Sequence, residues 1–296
     1  MAFQSIVMVK QVPDTANISG QVMRPDGTVN RAKLPAIFNP EDKVALELAL
    51  QIKDRHGGKV SAITMGPPKA SEVLRECLYM GADAVYLISD RKFAGADTLA
   101  TSYVLSEAIK KIGEYDLIFA GRQAIDGDTA QVGPQTAEKL GLPQITYAEE
   151  IINVKKPRVT VRRRIDGGYE IIESKMPVLI TVIKEAAEPR PFKATRVMAY
   201  KNAKSLVELE EMTNANSLLY IDDLKEEFIS RNLFIPTLTL DDFELDISRI
   251  GQSGSPTKVY KIDSVVLGVG EHIKIEPNKD GIGNLIEQLM ENRIFG

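Results

Sequence analysis

The chain has 296 residues, of which 44% are hydrophobic and 26% are charged, and its formal net charge is −4. This composition indicates a globular protein of one large domain or two smaller ones, and the acidic balance excludes a general attraction to nucleic acid or anionic membranes. No apolar run approaches the roughly 18 residues that span a bilayer, and the first residues lack the features of a secretory signal, so we expect a cytoplasmic protein.

In the first 142 residues, short apolar runs alternate with segments of helical spacing. Strands are predicted at SIVMVK (5–10), KVSAITM (59–65), AVYLIS (84–89) and YDLIFA (115–120). Helices are predicted at 39–58, 68–83 and 98–113, with a fourth that ends at 140–141. Strands separated by such helices form βαβ units. This order predicts an α/β fold with a mostly parallel, twisted sheet and helices on both faces.

After Pro143 the pattern changes to four strands joined by short turns, at 145–154, 158–165, 169–175 and 177–183. We expect these strands to form an antiparallel addition to the same sheet. Between them lies the basic run KKPRVTVRRRIDGG (155–168), which is typical of a hairpin. Its cationic face is interpreted either as a solvated surface or as a docking surface for an acidic protein partner.

From residue 188 onward the periodic spacing loosens. We therefore predict a nucleotide-binding α/β domain over residues 1–190 and an extended C-terminal arm over 191–296 that packs on another chain. The arm is expected to contain a helical segment near 218–231 and a last helix at 281–295.

The stretch GRQAIDGDTAQVGPQT (121–136) follows a predicted strand and is the first candidate for a site. Pro134 is tolerated only in a first helical turn, so a helix is predicted to begin between residues 130 and 134. The free amides of residues 129–133 then form an anion site at the carboxyl edge of the sheet, to which Thr129 and Gln131 add side-chain donors. The alternative is an ordinary helix cap with a glycine-containing turn.

Familiar nucleotide and catalytic motifs are absent from the sequence. It has no GxxxxGK[ST] loop, no GxGxxG after a strand, no SGGxDS loop and no convincing Ser/His/Asp or paired-carboxylate set. The single cysteine, Cys77, excludes a multi-cysteine metal site and is expected to be a small buried hydrophobe. His56 and His272 are expected at the surface. The sequence thus favours nucleotide binding over hydrolysis.

The run AGRQAIDGDTAQVGPQTAEKLGLPQITYA resembles the signature of electron-transfer flavoprotein beta subunits. Supporting matches follow in the family's order along nearly the whole chain, namely KQVPDT, NPEDKVALE, MGPPKA, LYMGADAVYLI, IDGGYE, EPR and GSPTKV. Residues 205–236 depart from the pattern as an insertion. The resemblance implies an adenine nucleotide alpha hydrolase-like fold and an obligate heterodimer with an alpha subunit that carries an FAD.

The resemblance also implies a second nucleotide in a cleft of this chain. It implies that Met8, the segment 39–42, Met65 and the loop 126–136 line this cleft; the sheet edge adds Gly121, and Arg122 is expected to place positive charge near the flavin or its phosphates. The predicted cofactor-binding residues are Met8, Asn39, Pro40, Asp42, Met65, Gly121, Arg122, Asp126, Asp128, Thr129, Ala130, Gln131, Val132, Gly133, Gln135 and Thr136. The flavin or nucleotide would carry the chemistry, so no catalytic side chain is expected.

In most of this family the second nucleotide is AMP, in a structural role. A subgroup binds FAD there, takes a hydride from NADH, and divides the electrons between ferredoxin or flavodoxin and the FAD of the alpha subunit, which serves a dehydrogenase or quinone-linked partner. Thr15 and the segment 26–42 are similar to this bifurcating subgroup. FAD is therefore the expected cofactor and AMP the alternative.

The sequence also departs from the carrier-type members of the family. Their recognition loop ends in a leucine that docks into acyl-CoA dehydrogenases, whereas the aligned position here is about Ala194. We expect that docking to be altered, and we expect the insertion at 205–236 to serve a different partner complex.

Overall fold

The computed structural model describes residues 2–14, 34–215, 220–257 and 274–291. The chain divides into two compact units, Met1–Asn17 with Leu34–Tyr260, and Ile18–Lys33 with Lys261–Gly296. In the second unit the described residues include one helix, Lys279–Glu291, on which Ile282, Ile286 and Met290 are exposed.

The strands, all in the first unit, are β1 (Phe3–Met8), β2 (Gln11–Pro13), β3 (Ala36–Phe38), β4 (Gly58–Met65), β5 (Ala84–Ile88), β6 (Leu117–Gly121), β7 (Gln144–Lys155), β8 (Arg158–Ile165), β9 (Gly168–Lys175), β10 (Val178–Val182), β11 (Lys204–Ser205), β12 (Phe234–Ile235) and β13 (Thr237–Leu238). The helices are α1 (Pro40–His56), α2 (Ser71–Met80), α3 (Thr98–Ile112), α4 (Val132–Leu140), α5 (Ala194–Tyr200), α6 (Leu206–Ala215), α7 (Ile221–Ser230) and, in the second unit, α8 (Lys279–Glu291).

One sheet holds nine of these strands in the order β13-β5-β4-β1-β6-β10-β7-β8-β9. Neighbours from β13 to β7 run parallel, and β7, β8 and β9 run antiparallel. Alternate residues of β1 enter two separate cores: Val7 packs with α1 and α2, whereas Ile6 packs with α3 and α4. The predicted fold, a mostly parallel sheet with helices on both faces and an antiparallel addition, is confirmed.

The ends of α1 illustrate why the early elements can be predicted. Asn39 and Pro40 mark its start, because proline fits the first helical turn, and α1 ends before Gly57, whose φ of 75° favours glycine.

Cys77 is fully buried, as expected for a small hydrophobe. His56 is exposed and packs edge-on against Phe3, whereas His272 lies outside the described residues.

One strand differs from the prediction. PVLITVI was expected in the antiparallel addition, but β10 lies between β6 and β7 and runs parallel to both. The reason is visible in its burial, since all five residues of β10 are buried. A strand covered on both faces reads as a continuous apolar run, which is typical of a parallel sheet.

The first unit also continues past the boundary expected near residue 190. Strand β13 extends the sheet by pairing with β5, and the unit reaches Tyr260. The predicted helical segment near 218–231 is α7, and a further helix, α6, precedes it. Arg75 of α2 anchors this region: its Nη1 donates to the carbonyl oxygen of Ala203 and to Oε1 of Glu208, each at 3.0 Å. Leu209, Phe228 and Ile235 of this region also belong to the same core as Val73 and Leu74 of α2.

The last helix was predicted at 281–295 and is described as α8, Lys279–Glu291. Among the described helices, none combines the length and apolar character needed to cross a membrane.

Candidate functional site

Asn39, just before α1, holds the loop that follows β6. Its side chain is completely buried. Its Nδ2 donates to the carbonyl oxygen of Gln123 at 2.9 Å, and its Oδ1 accepts from the N–H of Ile125 at 3.2 Å. We expected Asn39 among the nucleotide contacts. The structure uses both ends of its amide to fix the loop, so Asn39 acts on the site by shaping it.

Asp42, in the first turn of α1, also binds backbone. Its Oδ1 accepts from the N–H of Gly121 and its Oδ2 from the N–H of Lys10, each at 2.9 Å. A Cβ at position 121 would lie 2.5 Å from Oδ1, so this contact requires glycine. Burial raises the pKa of Asp42 to about 7, although the hydrogen bonds from Gly121, Asn39 and Lys10 lower it; the charge of Glu41 adds to the rise.

Glu41 lies between these two residues and holds Arg122. Its Oε1 is 2.9 Å from Nη2 of Arg122, and its Oε2 accepts from the N–H of Gln123 at 2.9 Å. The guanidinium of Arg122 also lies 5.6 Å from the centre of the Tyr147 ring. Its Nε is buried and has no hydrogen-bond partner among the described residues. A fixed cation therefore stands at the end of β6.

The two aspartates of the loop are held by cationic or amide groups. Both carboxylate oxygens of Asp126 accept from Nζ of Lys10, at 2.7 and 2.8 Å. Asp128 accepts from Nε2 of Gln123 at 3.0 Å. The ammonium group of Lys10 offsets the negative charge of Asp126, which would otherwise oppose an anion at this edge of the sheet.

The backbone between Asp128 and Gly133 forms a concave row of amides, which we call the cradle. Asp128 and Ala130 have φ values of 49° and 53°, in the left-handed region. Alternation of left-handed and other conformations turns successive N–H groups toward one side and creates an anion-binding concavity. The amides of Thr129 to Gly133 make no hydrogen bond within the described part of the chain.

Helix α4 begins at Val132, inside the predicted interval, and adds its dipole to the cradle. At Gly133 the backbone comes close to β10, because a Cβ there would lie 2.6 Å from Cγ2 of Thr181. Position 133 therefore requires the smallest residue. In the same first turn, the hydroxyl of Thr136 donates to the carbonyl oxygen of Val132 at 2.7 Å.

Two glutamines near the cradle bind α3. Oε1 of Gln131 accepts from Oγ1 of Thr98 at 2.8 Å, and Oε1 of Gln135 accepts from Oγ of Ser102 at 3.3 Å. In each case the amide oxygen is engaged, which leaves the NH₂ group as the donor. Gln131 is exposed, so the predicted donor role at the cradle is compatible with its geometry.

The remaining predicted residues line the same edge. Met8 ends β1 and is buried, Met65 ends β4 and is half-buried, and Pro40 is the half-buried first residue of α1. Thr15, which distinguishes the subgroups in sequence, lies outside the described residues.

Two contributors were missed by the sequence reasoning: Lys10 and Tyr147. Glu41 lies within the predicted segment 39–42, at the start of α1. Lys10 contacts Asp126 and Tyr147 contacts Arg122. Because each pair is distant in sequence, no local pattern predicts these contacts.

The arrangement is suited to holding an anion, with a row of free amides, a helix dipole and a fixed guanidinium. The described residues contain no group of three or more His, Cys, Asp or Glu side chains that could hold a metal ion. The described side chains at this edge can bind and orient an anionic ligand.

Comparison with protein families gives a match to the electron transfer flavoprotein domain over residues 26–210. The electron transfer flavoprotein subunit beta of Thermoanaerobacterium thermosaccharolyticum is 42% identical over 290 residues, which cover 98% of this chain and 99% of that protein. The caffeyl-CoA reductase-Etf complex subunit CarD of Acetobacterium woodii is 40% identical over 292 residues, covering 98% and 99% of the two chains.

A third relative, the protein FixA of Azotobacter vinelandii, is 50% identical over 191 residues, covering 63% of this chain and 67% of that protein.

Proposed function

This chain belongs to the family of electron-transfer flavoprotein beta subunits, and on that premise we propose that it binds FAD at the cradle as part of an electron-bifurcating heterodimer. The partner in this proposal is an alpha subunit that carries a second FAD. Electrons would come from NADH.

The observation that carries the proposal is the cradle itself. Five consecutive amides, Thr129 to Gly133, have no hydrogen-bond partner within the described part of the chain, and Asp128 and Ala130 have the left-handed conformation that occurs in anion-binding turns. A row of amide donors at a helix N-terminus suits the diphosphate of FAD and also the single phosphate of AMP. FAD is proposed over AMP because Thr15 and the segment 26–42 resemble the FAD-binding subgroup.

The residues present fit the cofactor in a consistent way. The cradle would hold the diphosphate, and the guanidinium of Arg122, fixed by Glu41, would add positive charge beside the phosphates or the flavin. Met8 and Met65, at the ends of β1 and β4, would supply apolar contact to the rings. Asn39 and Asp42 would keep the loop in shape beneath the cofactor.

The chemistry that FAD supplies when bound is uptake of a hydride from NADH and release of its two electrons, one toward ferredoxin or flavodoxin and one toward the alpha-subunit FAD. The chain's own residues contribute placement and electrostatics. The name of the Acetobacterium woodii relative refers to a complex with a CoA-ester reductase, which supports a dehydrogenase or reductase as the high-potential partner.

Nucleotide content tests the proposal. The chain is co-expressed with its alpha subunit, the purified heterodimer is denatured, and the released FAD and AMP are quantified by chromatography. We expect two FAD and no AMP per heterodimer. One FAD with one AMP would replace the proposal by an AMP-containing carrier between dehydrogenases and the respiratory chain.

A further inference from the structure

We propose that Tyr147 is a positioning residue for Arg122, and that its ring fixes the guanidinium beside the nucleotide cradle. This inference rests on the proposed nucleotide-binding function of the cradle. Neither the sequence pattern nor the family comparison assigns Tyr147 a role.

Tyr147 stands where β7 changes partners. Gln144 and Ile145 pair in parallel with β10, Ala148 pairs with both β10 and β8, and Glu150 and later residues pair antiparallel with β8. The register against β10 shifts between Ile145 and Ala148, across Tyr147, and the register against β8 shifts just after it, between Ala148 and Glu150, as at a β-bulge. Bulges re-aim a side chain relative to a regular strand, and here the side chain is aimed at Arg122.

The backbone conformation of Tyr147 is unfavourable for its residue type. Its φ is 58°, in the left-handed region, which a bulky aromatic residue rarely adopts. Such a conformation persists only when the surrounding structure imposes it, and it concentrates at functional sites. The residue is also 39% exposed, so burial does not account for the conformation.

The bulge and the cradle share one support, the end of β10. Oγ1 of Thr181 accepts from the N–H of Tyr147 at 3.4 Å, while Cγ2 of the same residue faces Gly133. The N–H of Arg122 donates to the carbonyl oxygen of the next residue, Val182, at 2.8 Å. Tyr147, Arg122 and the start of α4 are therefore neighbours around Thr181 and Val182.

Arg122 needs a second contact to be fixed. Glu41 holds one end of the guanidinium through Nη2, whereas Nε has no hydrogen-bond partner among the described residues. A single end-on ion pair allows the planar group to rotate. The Tyr147 ring, 5.6 Å from the guanidinium carbon, supplies a cation–π contact that restricts this rotation.

A double-mutant cycle on the heterodimer tests this role. Binding of FAD, and separately of AMP, is measured with nucleotide-free protein for the wild type, Tyr147→Asn, Tyr147→Phe, Arg122→Gln and the double variant Tyr147→Asn/Arg122→Gln. Asparagine tolerates the left-handed backbone, so the first variant removes the ring without adding strain. Thermal melts verify that each variant is folded.

Tyr169→Asn is the matched control. The guanidinium of Arg162 lies 5.5 Å from the centre of the Tyr169 ring, but Tyr169 is on β9, outside the cradle. We expect Tyr147→Asn to weaken nucleotide binding about fivefold to tenfold, and Tyr147→Phe and Tyr169→Asn to stay within about twofold of the wild type. In the Arg122→Gln background, Tyr147→Asn should have no further effect.

Two results would overturn the inference: equal losses for Tyr147→Phe and Tyr147→Asn, or an undiminished effect of Tyr147→Asn in the Arg122→Gln background. Failure of the FAD proposal has a different signature. A wild type that binds AMP but not FAD would refute the cofactor, and the cycle measured with AMP would still decide the role of Tyr147.

Discussion

Replacing Gly133 by alanine should damage the cradle by a steric contact that can be located to one methyl group. The new Cβ would lie 2.6 Å from Cγ2 of Thr181, whereas its next neighbours, Cδ2 of Leu179 and Cβ of Ala120, are at 3.7 and 3.9 Å. Only the first distance is too short. Because β10 is fixed within the sheet, the start of α4 has to move, and with it the cradle.

The expected cost follows from overpacking a close contact, about 1–3 kcal/mol in the free energy of unfolding. Helix propensity acts in the opposite direction, since alanine in place of glycine favours a helix by up to about 1 kcal/mol. The double variant Gly133→Ala/Thr181→Ser should therefore recover the stability of the wild type or exceed it, because serine lacks Cγ2 and keeps the hydroxyl that accepts from Tyr147.

The assay is denaturant unfolding of the heterodimer together with measurement of its FAD content. Gly127→Ala is the control, because a Cβ at that position meets nothing within 4 Å. The reasoning is refuted if Gly133→Ala behaves like Gly127→Ala, or if Thr181→Ser fails to restore both stability and FAD content.

Two further substitutions test the role of Asp42 at the site and the anchoring of α6 by Arg75. The pKa of Asp42 is raised from 3.8 to about 7, so between these pH values the folded protein keeps the proton that the unfolded chain loses. The contribution of Asp42 to the free energy of unfolding is therefore largest below about pH 4 and falls by up to about 4 kcal/mol as the pH rises to 7. Asp42→Asn should remove this fall in pH-dependent unfolding curves, and parallel curves for the two proteins would contradict the assignment. Arg75→Ala should lower the free energy of unfolding by about 2–3 kcal/mol in denaturant unfolding, because the half-buried carboxylate of Glu208 loses its ion pair with Arg75. Arg158→Ala, at an exposed ion pair with Glu173, should cost at most about 1 kcal/mol, and equal losses for the two arginines would exclude the anchoring role.

The parts of the fold that could be predicted are those with local causes. Proline at position 40 and glycine at position 57 bound α1, and Pro134 limits where α4 begins. The free amides of the cradle follow from that helix start. These features depend on residues within a few positions of one another, so the sequence pattern contains them.

The parts that were missed have causes distant in sequence. The carboxylates of Glu41 and Asp42 bind the loop at 121–123, about 80 positions away, and a sequence pattern shows the residue types but not the partner atoms. The left-handed conformation of Tyr147 occurs where the pairing of β7 with β10 is irregular, and tyrosine itself gives no sign of it. The parallel direction of β10 likewise depends on which strands it joins.

The most direct test of the central claim is an anaerobic titration of the heterodimer with NADH, followed by flavin absorbance. If the cradle holds FAD that reacts with NADH, the absorbance of both flavins should bleach, to the same end point that dithionite reaches. A heterodimer that dithionite bleaches but NADH leaves unchanged would contradict the account.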